Sequence, residues 1–245
     1  VTFSGTPAAV GIQADPGKTG EVILGGTMDL TGKGTGKTGI LIGSIGGGTG
    51  TFTGVVDKTN NTLNPTDKTS IMLLAGSILK VQGDGSEGVY LADGMESDGD
   101  IIANGTINVL PTTANGTTSA GVTGIELEGT TTGNLIVGGT VEGFGQAAKG
   151  VVVVGDVSKT IQNFGSILTS GTQATPASDK GNPTPGSALV VSGNVTRGIY
   201  NAGPLSVSDT SPAAATISTN GTSPAFLITT NYLGAATTAT PVTIG

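Results

Sequence analysis

The sequence predicts an all-β protein that folds as a right-handed parallel β-solenoid. Short apolar strands rich in Val, Ile and Leu recur along the chain, glycines recur at matching positions, and no segment shows a helical period. Continuous apolar runs suit the strands of a parallel sheet, because such strands are covered on both faces. Glycine, with 44 of the 245 residues, suits the turns between them because it adopts positive φ without strain.

The repeat opens with a short apolar strand. Its copies are GILIG (39–43), IMLLAG (71–76), GVYLADG (88–94), GVTGIELEG (121–129), GVVVVGD (150–156), ALVVSGN (188–194) and AFLITTN (225–231). The spacing between the later copies is irregular, as expected where loops of different length leave fixed corners of a solenoid.

Most of the later openers are followed by a second predicted strand, the second motif, in which a glycine stands two residues before an aliphatic residue. Its copies are VILGGTM (22–28), IIANGTI (101–107), LIVGGTV (135–141), IQNFGSI (161–167) and IYNAGPL (199–205). The two motifs together predict one coil per about 15–20 residues and a rod about 50–60 Å long.

An antiparallel β-sandwich of many short strands is the alternative fold. The irregular strand spacing and the continuous apolar runs favour the solenoid, and the chain lacks the tryptophan that is common in sandwich cores.

We expect a single solenoid domain over residues 1–245, as an ordered piece of a longer or processed protein. The repeat is clearest in residues 88–245, and the register of the first 87 residues stays open. Three polar stretches are predicted to be protruding loops, namely residues 57–69, 111–120 and 171–187.

Composition excludes several classes of function. The chain has no His and no Cys, which excludes Ser-His-Asp and Cys-His catalysis, ordinary zinc sites and disulfides. Its net charge is −7 and Arg197 is its single arginine, which argues against nucleic acid and anionic membranes as partners. No apolar run approaches the roughly 18 residues of a membrane span, so we expect no membrane insertion of this segment.

The segments NVTRGIYNAGPLSV (194–207) and TIQNFGSILTSG (160–171) resemble repeats of autotransporter-type passenger domains, which are bacterial surface proteins secreted by the type V route. The resemblance covers residues 88–245. It implies a parallel β-helix that is extracellular, at the cell surface, and that acts as an adhesin or a structural stalk.

The segment TGKGTGKT (31–38) approaches the pattern of a phosphate-binding loop, but Thr31 stands where that pattern requires glycine. A phosphate-binding loop opens a helix, whereas a strand-like run follows here. We therefore interpret the segment as a glycine-rich turn and predict no nucleotide cofactor.

A cluster of acidic residues is the candidate metal site. Carboxylates on flexible, glycine-containing loops are ligands that Ca²⁺ prefers. Six of the 17 acidic residues fall within 17 positions, and we consider them as calcium ligands: Asp84, Glu87, Asp93, Glu96, Asp98 and Asp100. The alternative is a solvated loop that keeps the rod soluble.

Paired carboxylates are the candidate for catalysis. Glu126 and Glu128 alternate on one strand and would face the same side, and Glu142 is expected to stack near them on the following coil. Glycoside hydrolysis needs two such carboxyl groups across a groove, but clustered basic residues and exposed aromatic rings are scarce in this chain. We therefore assign no catalytic residues and expect no enzyme.

The leading functional hypothesis is a non-enzymatic structural protein, a stalk or fibre subunit of the cell surface. Its end strands would expose unpaired edges, so we expect self-association into filaments. The alternatives are an adhesin that binds a glycan or protein of a host or neighbouring cell through its loops and, less favoured, a polysaccharide-processing β-helix enzyme.

Overall fold

The computed structural model describes residues 9–32, 34–44, 48–112, 121–171, 186–202 and 215–229. These residues form 23 β-strands, numbered β1 to β23 in chain order, and no helix. The predicted all-β class is therefore confirmed. None of these residues lies in a helix of the length and hydropathy that a membrane span requires.

The strands form three large sheets and one small sheet. Sheet 1 contains, in spatial order, β1 (Val10–Ala14), β4 (Thr38–Ile42), β9 (Glu87–Leu91), β13 (Thr123–Leu127), β17 (Lys149–Val153), β20 (Leu189–Val191) and β23 (Phe226–Ile228). Sheet 2 contains β2 (Val22–Leu24), β7 (Lys68–Leu73), β11 (Asp100–Ala103), β15 (Leu135–Val137), β18 (Ile161–Asn163) and β21 (Ile199–Asn201), and β6 (Val55–Val56) also pairs with β7.

Sheet 3 contains β3 (Thr27–Leu30), β8 (Ile78–Gln82), β12 (Thr106–Leu110), β16 (Thr140–Phe144), β19 (Ser166–Ser170) and β22 (Thr216–Thr219). Sheet 4 contains β5 (Gly50–Thr53), β10 (Met95–Asp98) and β14 (Thr130–Thr131).

The chain visits the sheets in a repeating order, for example sheets 1, 4, 2 and 3 through β9, β10, β11 and β12, before β13 returns to sheet 1. Residues that pair on neighbouring strands of sheet 1 are one repeat apart in the sequence. This separation ranges from 26 residues, between Ile125 and Val151, to 49 residues, between Ile40 and Val89. The predicted period of about 15–20 residues is therefore wrong. The four second motifs that the structure describes in full each span a strand of sheet 2 and a strand of sheet 3, joined by a turn that contains glycine.

This longer period also shortens the stack. Seven strands about 4.8 Å apart span about 30 Å, instead of the predicted 50–60 Å.

Strand pairing is parallel throughout the described residues, except between β6 and β7. The antiparallel pairing on which the sandwich alternative depends is thus confined, in this part of the chain, to one short pair. The structure also supplies the register of the early repeats, because Ile12 pairs with Ile40 and Ile40 pairs with Val89.

The core lies between the sheets and is built from columns, a column being the set of residues paired at one position across successive strands. One column of sheet 1 runs through Ile12, Ile40, Val89, Ile125, Val151, Leu189 and Phe226. On the other face of sheet 2, Met72, Ile102 and Ile136 form a second buried cluster, which Leu74 and Phe164 contact. Aliphatic side chains therefore cover both faces of sheet 2.

Two glycine columns show why glycine recurs in the sequence. A Cβ at Gly124 would collide with Val141 of sheet 3 and with the carbonyl of Gly150. A Cβ at Gly139 would collide with the carbonyl of Gly105 in the turn of the preceding repeat. At both positions the main chains of neighbouring repeats lie so close together that there is no room for a side chain.

The predicted loop at 57–69 is confirmed for residues 57–67, whereas Lys68 and Thr69 begin β7. The segment lies against sheet 2 rather than protruding from it. Residues 57–67 carry no strand and cross the start of sheet 2, and we call this segment the strap. Its buried Asn61 donates a hydrogen bond to Asp100 Oδ2 (3.1 Å), and Asp67 pairs with Lys159 Nζ (2.6 Å). The strap therefore contacts two later repeats. Most of the other two predicted loops, residues 113–120 and 172–185, lies outside the described residues.

Candidate functional site

The six candidate calcium ligands lie in different environments. Asp84 and Asp93 lie in turns, and Glu87 lies in sheet 1. Asp84 Oδ1 accepts a hydrogen bond from the backbone N–H of Thr112 (2.9 Å). Glu87 begins β9 and accepts one from Thr38 Oγ1 (2.8 Å). Asp93 lies in an exposed turn before β10.

Asp98 and Glu96 form hydrogen bonds with other side chains. Asp98 forms an ion pair with Lys68 Nζ (2.6 Å), and this hydrogen bond, with one from Thr132, holds the pKa of Asp98 below its ordinary value despite partial burial. Glu96 accepts a longer hydrogen bond from Thr51 Oγ1 (3.4 Å).

Asp100 is the most buried of the six. Its Oδ1 accepts hydrogen bonds from the backbone N–H (2.8 Å) and the side-chain amide (2.9 Å) of Asn134, and its Oδ2 accepts one from Asn61. Burial raises the pKa of Asp100, and the hydrogen bonds from the two asparagines oppose that shift. Amide donors thus occupy the oxygens that a calcium ion would need.

Two of the six candidates, Asp93 and Glu96, line one groove of about 300 Å³, together with Glu128. Within the described ranges, no group of three or more acidic residues is arranged to hold a metal ion. Calcium binding by the acidic cluster stays a prediction.

A different cluster unites Glu87 with the predicted pair Glu126 and Glu128. Tyr90 pairs with Glu126 across β9 and β13, and its hydroxyl donates a hydrogen bond to Glu128 Oε2. We call these four residues the glutamate cluster. The alternation of Glu126 and Glu128 was readable from the sequence, but the contribution of Glu87 and Tyr90 required the register of the preceding repeat.

The cluster shifts the protonation of its members. Burial, with the negative charges of Glu126 and Glu128, raises the pKa of Glu87 to about 7, against an opposing hydrogen bond from Thr38. Burial and the charge of Glu128 raise the pKa of Glu126, which the charge of Lys149 opposes. Burial and the bond to Glu128 also raise the pKa of Tyr90. The cluster can therefore hold a proton near neutral pH.

Glu142 does not join this cluster. It lies on β16 in sheet 3, where it accepts a hydrogen bond from Ser170 Oγ (2.6 Å) and where burial raises its pKa. Glu142 was expected near Glu126 because the predicted coil was shorter than the observed repeat.

The side chain of Lys37 in the segment TGKGTGKT is buried. Its side chain is 1 % exposed, and its Nζ donates to the carbonyls of Gly32 (2.8 Å), Gln82 (2.8 Å) and Leu30 (3.3 Å). Burial lowers the pKa of Lys37. The strand β4 begins directly after it, so this glycine-rich turn lacks the helix that a phosphate-binding loop opens.

A second groove, of about 310 Å³, lies beside the strap. The ion pairs Asp67–Lys159 and Lys68–Asp98 line it together with the hydroxyl-bearing residues Thr66 and Thr132. Both signs of charge and two hydroxyls therefore meet in one depression.

Exposed large apolar side chains gather on the first and last strands of the described stack. On the first strands they are Ile23, Val55 and Val56, and on the last they are Tyr200, Phe226 and Ile228. Among the described residues, Leu63 and Ile78 are the other two. The sequence predicted unpaired edges at the ends but did not identify these side chains.

Comparison of the chain with known protein families, with curated proteins and with solved structures finds no match.

Proposed function

We propose that the chain is a right-handed parallel β-solenoid that serves as a non-enzymatic structural protein of the extracellular cell surface, a stalk or fibre subunit that assembles end to end. Its placement at the cell surface rests on the resemblance of residues 88–245 to autotransporter-type passenger domains.

The solenoid is supported by strand order. Successive strands of the chain enter different sheets, and each sheet grows by one parallel strand when the chain returns. A chain that winds around a common core produces this order. The right-handed sense follows from the strong preference of crossovers between parallel strands for that hand.

The observation that carries the assembly is the distribution of exposed apolar side chains. Six of the eight in the described residues lie on β2, β6, β21 and β23, which are edge strands of their sheets. Exposed apolar groups on unpaired strand edges favour addition of another chain. A second copy stacked on these edges would continue the columns of the core.

Negative-stain electron microscopy and sedimentation velocity of the purified chain test this proposal. We expect filaments or end-to-end oligomers whose fraction rises with protein concentration. Strictly monomeric particles over the whole concentration range would contradict it. Repeating the measurement with calcium and then with a chelator tests the acidic cluster, because filaments that dissolve on chelation would make it a metal site.

The groove beside the strap favours an adhesin as second candidate. Paired charges and hydroxyls suit the polar groups of a glycan, and the strap is one of the predicted surface loops. Glycan-array binding that is lost in Lys159→Ala but kept in Lys80→Ala would support this function. Equal binding by both variants would exclude the groove.

A further inference from the structure

Two edges of sheet 2 are unpaired in the described residues and lie at opposite ends of the stack. At one end, β2 and β6 both pair with β7, and at the other, β21 pairs with β18. We call them the first edge and the last edge. Pairing positions place Val22 in the same column as Ile199, so the two edges share one register.

One column of sheet 2 ends in an exposed, largely apolar side chain at both edges. It runs through Ile23, Met72, Ile102, Ile136, Gln162 and Tyr200. Met72, Ile102 and Ile136 are buried, whereas Ile23 is 45 % exposed and Tyr200 is 53 % exposed. A second copy in continuous register would place its Ile23 over Tyr200 and extend the column.

The first edge also carries an uncompensated acidic pair. Glu21 directly precedes β2, and Asp57 directly follows β6. Burial, the charge of Asp57 and a hydrogen bond between the two side chains raise the pKa of Glu21 to about 7. Glu21 Oε1 is buried and has no hydrogen-bond partner among the described residues. Neither ion pair of the described residues involves Glu21 or Asp57.

The last edge carries the single arginine of the chain. Arg197 lies two residues before β21, and Tyr200 Oη donates a hydrogen bond to its carbonyl oxygen (3.2 Å). Its side chain is exposed, and neither ion pair of the described residues involves it. In the shared register, Arg197 and Glu21 lie within one residue of the same column.

We propose that these edges bind each other in a second copy of this chain, with Tyr200 packing on Ile23 and with Arg197 paired to Glu21 and Asp57. This contact rests on the proposed end-to-end function and specifies its partner and its chemistry. A guanidinium can donate hydrogen bonds to both carboxyl groups, and its single positive charge balances the negative charge of one of them. Opposite charges at a repeating interface set its register.

Charge reversal tests the contact, because each copy has one first edge and one last edge. Glu21→Lys and Arg197→Glu each place like charges across the interface. We expect each variant alone to raise the critical concentration for assembly at least about tenfold, which is 1.4 kcal/mol per contact. In an equimolar mixture of the two variants, every contact is between opposite charges, so we expect filaments to return. The double variant, which keeps the net charge, should also assemble.

Two substitutions of exposed apolar side chains test whether assembly depends on this contact or on exposed apolar surface in general. Tyr200→Lys should block assembly, whereas Leu63→Lys, which replaces an exposed apolar side chain on the strap, should not. Circular dichroism and thermal melting of every variant verify that it folds. The equimolar mixture of Glu21→Lys and Arg197→Glu is a further control, because filaments that form from it show that both variants are folded and able to assemble.

The outcomes distinguish the two proposals. A wild-type chain that never assembles overturns the end-to-end function and this contact with it, and would indicate that another segment or another protein covers the edges. A wild-type chain that assembles, while both charge variants assemble equally well alone, overturns the contact and leaves the function standing.

Discussion

At the scale of single residues, the glutamate cluster makes stability depend on pH. The pKa of Glu87 is about 7 in the folded chain against an ordinary value of 4.5, so the folded state binds the proton more tightly. Stability from this group is complete below the unfolded pKa and declines as the pH rises toward 7.

We predict that Glu87→Gln flattens this dependence. Through Glu87 alone, the wild-type free energy of unfolding should fall by about 1–3 kcal/mol between pH 4.5 and pH 7.5. The variant should lose this share of the slope because glutamine stays neutral, and should keep the share of Glu21, whose pKa is also raised to about 7. Urea unfolding at a series of pH values measures both. An unchanged slope in the variant would show that Glu87 is not the titrating group.

Lys37 makes a second prediction at this scale. Lys37→Met keeps the length of the side chain but leaves the carbonyls of Leu30, Gly32 and Gln82 without their donor. We expect a loss of about 2–3 kcal/mol in the free energy of unfolding, measured by chemical denaturation. Lys58→Met, at an exposed position of the strap, should change it by less than about 0.5 kcal/mol. A gain in stability for Lys37→Met would mean that the buried charge costs more than its bonds supply.

At the scale of elements, the glycine columns decide how closely sheets and turns approach. We predict that Gly124→Ala lowers the free energy of unfolding by about 1–3 kcal/mol, because the added methyl group meets Val141 and the carbonyl of Gly150.

Gly26→Ala is the matched control for this substitution. Its Cβ would meet nothing within 4 Å, and its φ is not positive. Removing one glycine from open space should leave stability unchanged or raise it by up to about 1 kcal/mol. Thermal melting of both variants compares them, and equal effects would show that close approach is not why glycine recurs.

The strands of sheet 1 were the elements that the sequence predicted best. Six of the seven opening motifs contain a strand of sheet 1, because their apolar runs are long enough to read. The exception is IMLLAG (71–76), which lies in β7 of sheet 2. Each second motif was predicted as one strand, whereas in the four copies that the structure describes in full a glycine turn, such as the one at Gly139, divides it between sheets 2 and 3.

The candidate site was harder to predict than the strands. Tyr90 and Glu126 are 36 positions apart, yet they pair directly. Local pattern does not reveal such a contact, because it depends on the length of the loop between repeats. The same reason explains why Glu142 was expected beside Glu126 and instead lies in sheet 3.

At the scale of the whole molecule, most of the exposed large apolar side chains of the described residues lie on strands at the two ends of the stack. Met72, Ile102 and Ile136 are buried in the middle of one column, and Ile23 and Tyr200 leave its ends exposed. A stack of parallel strands has no intrinsic limit to its length. End-to-end association is the direct way for such a molecule to complete its columns.

The most direct test of this account is electron cryo-microscopy of the concentrated wild-type chain, read for the repeat along the long axis of any assembly. We predict filaments one chain wide, with a strand spacing of about 4.8 Å parallel to that axis. Such a spacing would establish both the solenoid and its stacking. Particles that remain single at every concentration, or filaments whose strands run along the axis, would contradict the account.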